Sequence, residues 1–209
     1  MTIKKNLRKQ LLGQRRAMAA AEWRRKSHDI CMQLQQCDRV LNARMILSYV
    51  SFRQEPDLVP LLTSLAQGTG HRLYGDIQNK HRQFALPRCQ GKTLIWHLWH
   101  PHQASSLVTG AYGILEPNPS WPTVTPQSLA KPSILLVPAV ACDRQGYRIG
   151  YGGGFYDRML VEPAWASVIK IGIVFDFAYV DALPTDPWDQ TLSGVCTDKG
   201  LTLFRDLDE

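Results

Sequence analysis

The sequence predicts an α/β fold: a single three-layer α/β/α domain over residues 1–209, Rossmann-like, around a largely parallel sheet. Three observations carry this. The 209 residues, 44% apolar, 20% charged and 9% aromatic, have the length and make-up of one globular domain. Short apolar and β-branched runs alternate along the chain with stretches of helical periodicity. Several of those runs are continuously apolar, as strands covered on both faces must be.

Ile3, Leu7, Leu11 and Met18 recur at helical spacing, so residues 4–19 read as an amphipathic helix with one face on the domain. A second helix at residues 22–36 gathers Trp23, Ile30 and Leu34 on its inner face. The period then shortens. Residues 45–51, 84–86, 93–99, 133–140 and 168–175 read as buried strands, with helical stretches at 58–66 and 154–161 between them. Residues 116–132 carry five prolines (Pro117, Pro119, Pro122, Pro126 and Pro132), which excludes a helix and predicts an extended surface connection bordering the site. No run approaches the roughly 20 apolar residues of a membrane helix, and no repeat or low-complexity tract is present.

The five cysteines (Cys31, Cys37, Cys89, Cys142, Cys196) are odd in number and form no C-x-x-C pair. Neither a disulfide framework nor a zinc site is expected, and a reducing compartment, the cytoplasm, fits best. His97, His100 and His102 are broken up by Pro101 and read as no metal site; Cys142 reads as a small buried residue at a strand end.

Charge is uneven: residues 1–26 sum to +8 and the remainder to −2. Such a block attracts nucleic acid, anionic lipid or a polyphosphate, and charge alone does not choose. Residues 1–21, basic and free of acids, also have the make-up of a mitochondrial transit peptide. At 100° per residue, Lys4, Arg8 and Arg15 fall on a stripe roughly 70° from the apolar centre, while Lys5, Lys9 and Arg16 turn toward water. The inner row can reach into an adjoining cleft; the outer row is a solvated face.

Residues 133–160 are the most informative. A strand runs into a turn at residues 143–146, then Arg148, Gly150, Gly152, Gly153 and Gly154, with a helix opening at Phe155 and Tyr156. Glycines before a helix let backbone N–H groups approach an anion. The same glycines also serve a tight turn that only packs closely. Neither G-x-x-x-x-G-K-[ST] nor G-x-G-x-x-G is satisfied. Arg148, a cation for phosphate oxygens, and Asp157, a hard oxygen ligand suited to Mg²⁺, favour the phosphate reading.

The stretch G-Y-R-I-G-Y-G-G-G-F-Y-D-R (residues 146–158) resembles the signature of 5-formyltetrahydrofolate cyclo-ligases. The resemblance extends to Lys4 and Arg8, Glu55, Leu86-Pro87, Gly113-Ile114-Leu115-Glu116-Pro117, Ile171-Gly172, Leu183-Pro184, Trp188-Asp189 and Thr197, nearly the whole chain. It makes the basic first helix a functional element rather than a transit peptide. It implies an enzyme that uses Mg·ATP to convert 5-formyltetrahydrofolate, with or without a polyglutamate tail, to 5,10-methenyltetrahydrofolate.

By the resemblance, ATP is held by Lys4, Lys5, Asn6, Leu7 and Arg8 together with Arg148, Ile149, Gly150, Tyr151, Gly152, Gly153, Gly154, Phe155 and Tyr156. Val50, Glu55, Tyr151, Gly152, Gly153, Gly154 and Phe155 face the folate. Arg148, Tyr156 and Glu55 are the expected catalytic groups, and Asp157 and Asp189 the magnesium ligands. Phe52 and Trp99 are further candidates for the pterin wall. Departures from the family pattern are Ala178 in place of a common Gln, Cys142 in place of Phe, and a longer segment at residues 69–83.

The expected protein is a monomer without membrane or nucleic-acid partners. Two rivals are a paralogue that keeps the nucleotide loop but acts on another substrate, and an RNA-binding protein using the basic helix. The second explains the charge but not Asp157, and lacks the aromatic platform on which single strands stack.

Overall fold

The computed structural model describes residues 3–68 and 82–204. All but the last two residues of the long segment at 69–83 lie outside the described residues. The chain begins with α1 (Ile3–Ala17), α2 (Ala20–Gln35) and α3 (Asp38–Asn42), then β1 (Met45–Leu47) and α4 (Val59–Gln67). A hairpin of β2 (Gln83–Gln90) and β3 (Thr93–Trp99) follows, then the short β4 (Val108–Thr109), β5 (Leu115–Glu116) and β6 (Thr123–Val124). Next come β7 (Ser133–Pro138), β8 (Ala141–Asp143), β9 (Arg148–Ile149) and α5 (Phe155–Leu160). The chain ends with β10 (Ile169–Ile173), β11 (Tyr179–Val180), β12 (Gly194–Thr197) and β13 (Gly200–Leu203).

Among the described residues the main sheet has eight strands in the order β13-β12-β10-β7-β1-β2-β3-β6. The five from β12 to β2 are parallel, and antiparallel strands extend both edges. Successive residues of a strand face opposite sides. Accordingly Met45, Leu47, Leu135 and Val137 enter one core, while Ile46, Ile134 and Leu136 enter the other. Leu11 of α1 with Met159 and Leu160 of α5 covers the first face; Ile30 and Leu34 of α2 with Leu61, Leu62 and Leu65 of α4 cover the second. This is the three-layer arrangement the apolar runs predict, and no described helix is long and apolar enough to cross a membrane.

Four details differ from the sequence reading. Ile3 is 74% exposed, so the buried face of α1 begins only at Leu7. β1 stops at Leu47, where the chain leaves the sheet for the site loop. β2 runs on to Gln90 because Pro87–Gln90 pair with β3, a cross-strand constraint that polar residues do not advertise. The proline-rich stretch is not wholly a surface connection: β6 adds an edge strand, Pro126–Ser128 forms a 3₁₀ turn, and Glu116 is buried.

From β1 the chain winds through α4 to β2 on one side, then returns to β7 on the other. The winding therefore reverses between β1 and β7, and the loops leaving their carboxyl ends diverge around a crevice.

Candidate active site

A cavity of about 620 Å³ occupies that crevice, a size usual for small-molecule sites. Lys4 and Arg8 of α1, residues 49–55 after β1, Pro138 at the end of β7, residues 148–157, and Asp186 with Asp189 all contribute to its lining.

The helical period sorts the basic residues of α1. Lys4 and Arg8 are half-buried and line the cavity, whereas Lys5, Asn6 and Lys9 are exposed. Leu7 packs against the core, so Lys5, Asn6 and Leu7, named above as ATP contacts, lie outside the lining because each further residue turns about 100°. Lys4 Nζ donates to Asp186 Oδ2 and Asp189 Oδ2, both at 2.5 Å. Burial alone lowers the lysine pKa, but these two carboxylates more than offset it and hold the ammonium above its ordinary range. Arg8 Nε donates to the Gly150 carbonyl at 2.7 Å and thereby ties α1 to the glycine loop.

Arg15, the third member of the stripe, goes elsewhere. It is buried, donates through Nη1 to the Ala139 carbonyl at 3.4 Å and through Nη2 to the Tyr151 hydroxyl, and does not line the cavity.

In the loop between β9 and α5, Gly152 (φ +102°) and Gly154 (φ +65°) adopt left-handed conformations that side chains resist. Gly154 caps α5, and a Cβ at Gly153 would lie 2.9 Å from the Phe155 ring. Close packing and an open backbone lining the cavity are thus served by the same glycines. Arg148 is held rigidly: its Nη2 donates to Asp157 Oδ1 at 2.6 Å and its Nη1 to the Gln190 carbonyl at 2.8 Å. Ile149, Gly150, Tyr151, Phe155, Tyr156 and Asp157 join it in the lining.

Asp157 and Asp189 both line the cavity, and Asp186, which sequence reading missed, stands with them. Among the described residues no group of three or more His, Cys, Asp or Glu forms a metal cage. Mg²⁺ carried by a polyphosphate needs none, since one or two carboxylates with phosphate oxygens and waters complete its shell. Asp157 meets Arg148 through Oδ1 and Asp189 meets Lys4 through Oδ2. Hard oxygen donors beside phosphate-type cations are a chemistry that fits the ion.

Glu55 is 4% exposed. Its Oε2 accepts the Phe52 N–H at 3.0 Å, and its carbonyl accepts from Trp23 Nε1 and Ser51 Oγ at 2.9 and 2.7 Å. Arg53 and Gln54 before it have φ of 50° and 58°, a strained pair of the kind that gathers at functional sites. Burial pushes the Glu55 carboxyl up to about 7, while the charge of Arg15, the Phe52 N–H and the Tyr151 hydroxyl hold it from going higher. Burial and the charge of Glu55 raise the Tyr151 and Tyr156 hydroxyls far above the usual phenol range.

Val50, Phe52 and Tyr151 line the cavity beside Glu55, but Trp99 does not: it is buried in the core on the α2–α4 face of the sheet. The sequence reading also missed Pro87, Cys89, Leu94, Tyr112, Ile114, Leu115 and Trp188 as lining residues. Leu86-Pro87 and residues 113–117 are part of the family resemblance, which was the available signal. Trp188, 65% exposed, is a large aromatic next to Asp189, and the pair is likewise part of the family resemblance. His97 is buried with Nδ1 2.8 Å from the Trp121 carbonyl, and Cys142 is fully buried with its thiol pushed up to about 12 by burial, so neither is reactive.

The model of the 5-formyltetrahydrofolate cyclo-ligase family matches residues 1–198. The chain is 32% identical to a 5-formyltetrahydrofolate cyclo-ligase of Mycolicibacterium smegmatis over 166 residues, 79% of each chain. It is 30% identical to the enzyme of that name from Escherichia coli over 183 residues, 88% of this chain and 93% of the other. The NMR structure of Aquifex aeolicus 5,10-methenyltetrahydrofolate synthetase superposes with a TM-score of 0.78 at 28% identity, covering 98% of this chain and 94% of that one.

Proposed function

The chain belongs to the 5-formyltetrahydrofolate cyclo-ligase family, and from that premise we propose that its cavity converts 5-formyltetrahydrofolate and ATP to 5,10-methenyltetrahydrofolate, ADP and phosphate. One observation carries this reading: two chemically different linings share one cavity. Lys4, Arg8 and the Arg148–Asp157 pair suit a magnesium polyphosphate, while buried Glu55 among Val50, Phe52 and Tyr151 suits a flat, partly apolar heterocycle with exchangeable protons.

The chemistry requires both. A formamide oxygen leaves poorly, so the γ-phosphoryl group passes to the formyl oxygen and turns it into a phosphate leaving group. N10 then attacks the formyl carbon, its proton is lost, and the C–O bond breaks to release phosphate and close the ring. Lys4 and Arg8 hold the phosphates, and Arg148 orients Asp157. Mg²⁺, when bound by Asp157 and Asp189, neutralises phosphate charge. Glu55, whose carboxyl sits at about 7, is matched to accepting the N10 proton near neutral pH. Gly152 and Gly154 bring backbone against substrate where side chains would intrude.

Incubating the pure protein with 5-formyltetrahydrofolate and Mg·ATP should generate the methenyl chromophore with one ADP per product formed. Failure to form it, with ATP consumed on a different acceptor, would instead favour the paralogue.

A further inference from the structure

Lys4, Arg8 and Arg15 share one stripe of α1, yet only the first two reach the cavity. Arg15 lies about two helical turns beyond Arg8, α1's contact with Gly150, and is enclosed by protein, with 4% of its surface exposed. Among the described residues, a guanidinium with five donors is placed against only two acceptors, the Ala139 carbonyl just beyond β7 and the Tyr151 hydroxyl in the glycine loop, and its Nε is buried without a hydrogen-bond partner. A buried cation is costly unless compensating charge faces it. The charge that faces Arg15 is Glu55. Three separate segments, α1, the loop after β1 and the glycine loop, therefore meet through this one side chain.

We propose that Arg15 is a positioning residue for the folate-binding side of the cavity, holding the Tyr151 hydroxyl in place and supplying the positive charge opposite the Glu55 carboxylate. This rests on the reading of Glu55 and Tyr151 as folate-facing groups. Arg15 touches no substrate; it acts through those two residues. Besides Arg15, the titratable groups that face Glu55 are Tyr49 from its own loop, Tyr151 from the glycine loop and Tyr156 from α5, all neutral at working pH. Arg15 is thus the cation among them, and its loss should make Glu55 harder to ionise.

The test compares wild type with Arg15→Met, which keeps length without charge, and Arg15→Lys, which keeps charge without the planar fork. The Glu55 titration is followed by carboxyl ¹³C NMR in the free protein, assigned with Glu55→Gln, and the acid limb of kcat/KM for 5-formyltetrahydrofolate is recorded alongside. In Arg15→Met both should move up by about one pH unit, a roughly tenfold loss at pH values below the limb, with the KM for ATP changed less than about twofold. Arg15→Lys should restore the titration but not full kcat, since an ammonium cannot serve Ala139 and Tyr151 in the same geometry. An unmoved Glu55 titration in folded Arg15→Met overturns the proposal. So does a parallel rise in the KM for ATP, which would make Arg15 a phosphate ligand. Should Arg15→Met fail to fold, Arg15→Lys with wild-type kcat and an unaltered profile overturns the positioning role. A wild-type protein that forms no methenyl product overturns the reaction above instead, and the NMR titration then decides on Arg15 by itself.

Discussion

Replacing Lys4 and Lys5 by alanine, one at a time, separates direct phosphate contact from diffuse attraction, because the two lysines carry equal charge on faces about 100° apart. Lys4 Nζ sits 2.5 Å from carboxylate oxygens of both Asp186 and Asp189 in the cavity lining, whereas Lys5 is exposed and outside it. Lys4→Ala removes a charge-assisted contact of roughly 1.5–3 kcal/mol and leaves two carboxylates uncompensated toward the polyphosphate. At about 1.4 kcal/mol per tenfold, nucleotide affinity should fall by about 10- to 150-fold. Lys5→Ala removes one solvated charge, screened beyond about 8 Å at physiological salt, and should cost less than about threefold. Isothermal titration with ADP and a non-hydrolysable ATP analogue at low and high salt measures both. The Lys4 loss should persist in high salt. Equal losses that fade together would remove the contact and return the basic helix to the nucleic-acid reading.

Asp157→Ala should abolish turnover and, by leaving the Arg148 guanidinium without its carboxylate, lower stability by about 1.5–3 kcal/mol, while Asp157→Asn loses turnover with a smaller fall in Tm. Wild-type kcat for either at saturating Mg²⁺ removes Asp157 from the site. Glu55 has a folded pKa of about 7 against an ordinary 4.5, so the folded state binds its proton more tightly and stability falls as pH rises between those values, by up to about 3 kcal/mol. Glu55→Gln should therefore be inactive yet raise Tm at pH 8 and change it little at pH 5; a lower Tm at pH 8 contradicts a strained carboxylate. Gly152→Ala, at φ +102°, should cost about 1–2 kcal/mol in urea unfolding and weaken ATP binding, and an unchanged midpoint would mean that the loop relaxes freely.

Much of this was legible because both signals are local. Continuous apolar runs at residues 45–47 and 134–137 reveal a sheet covered on both faces, and the period of α1 separates Lys4 and Arg8 from Lys5 and Lys9. Periodicity says which residues share a face, not what that face meets. Arg15 lies on the stripe of Lys4 and Arg8 but too far along the helix, where the neighbours are Ala139 and Tyr151 rather than open cavity. Trp99 was misplaced for the same reason: alternation along β3 sends it into the core on the far side of the sheet, opposite to Trp96. The wall formed by Tyr112, Ile114 and Leu115 comes from tertiary packing of a loop against the glycine segment, including the edge-on contact of Tyr112 with Phe155 at 5.7 Å, and no local pattern encodes it. Asp189 could be ranked as a site residue only by family resemblance and Asp186 by no signal at all, since a loop carboxylate is by default solvated.

The decisive measurement follows one oxygen atom. With 5-formyltetrahydrofolate carrying ¹⁸O in its formyl group, the wild-type protein and Mg·ATP should yield methenyl product and inorganic phosphate that has acquired one ¹⁸O per turnover, read by mass spectrometry or ³¹P NMR. Transfer of the label to phosphate is what ATP activation of the formyl oxygen requires. Methenyl product accompanied by unlabelled phosphate, with the ¹⁸O recovered in water, would mean that ATP hydrolysis and ring closure proceed without the phosphorylated intermediate.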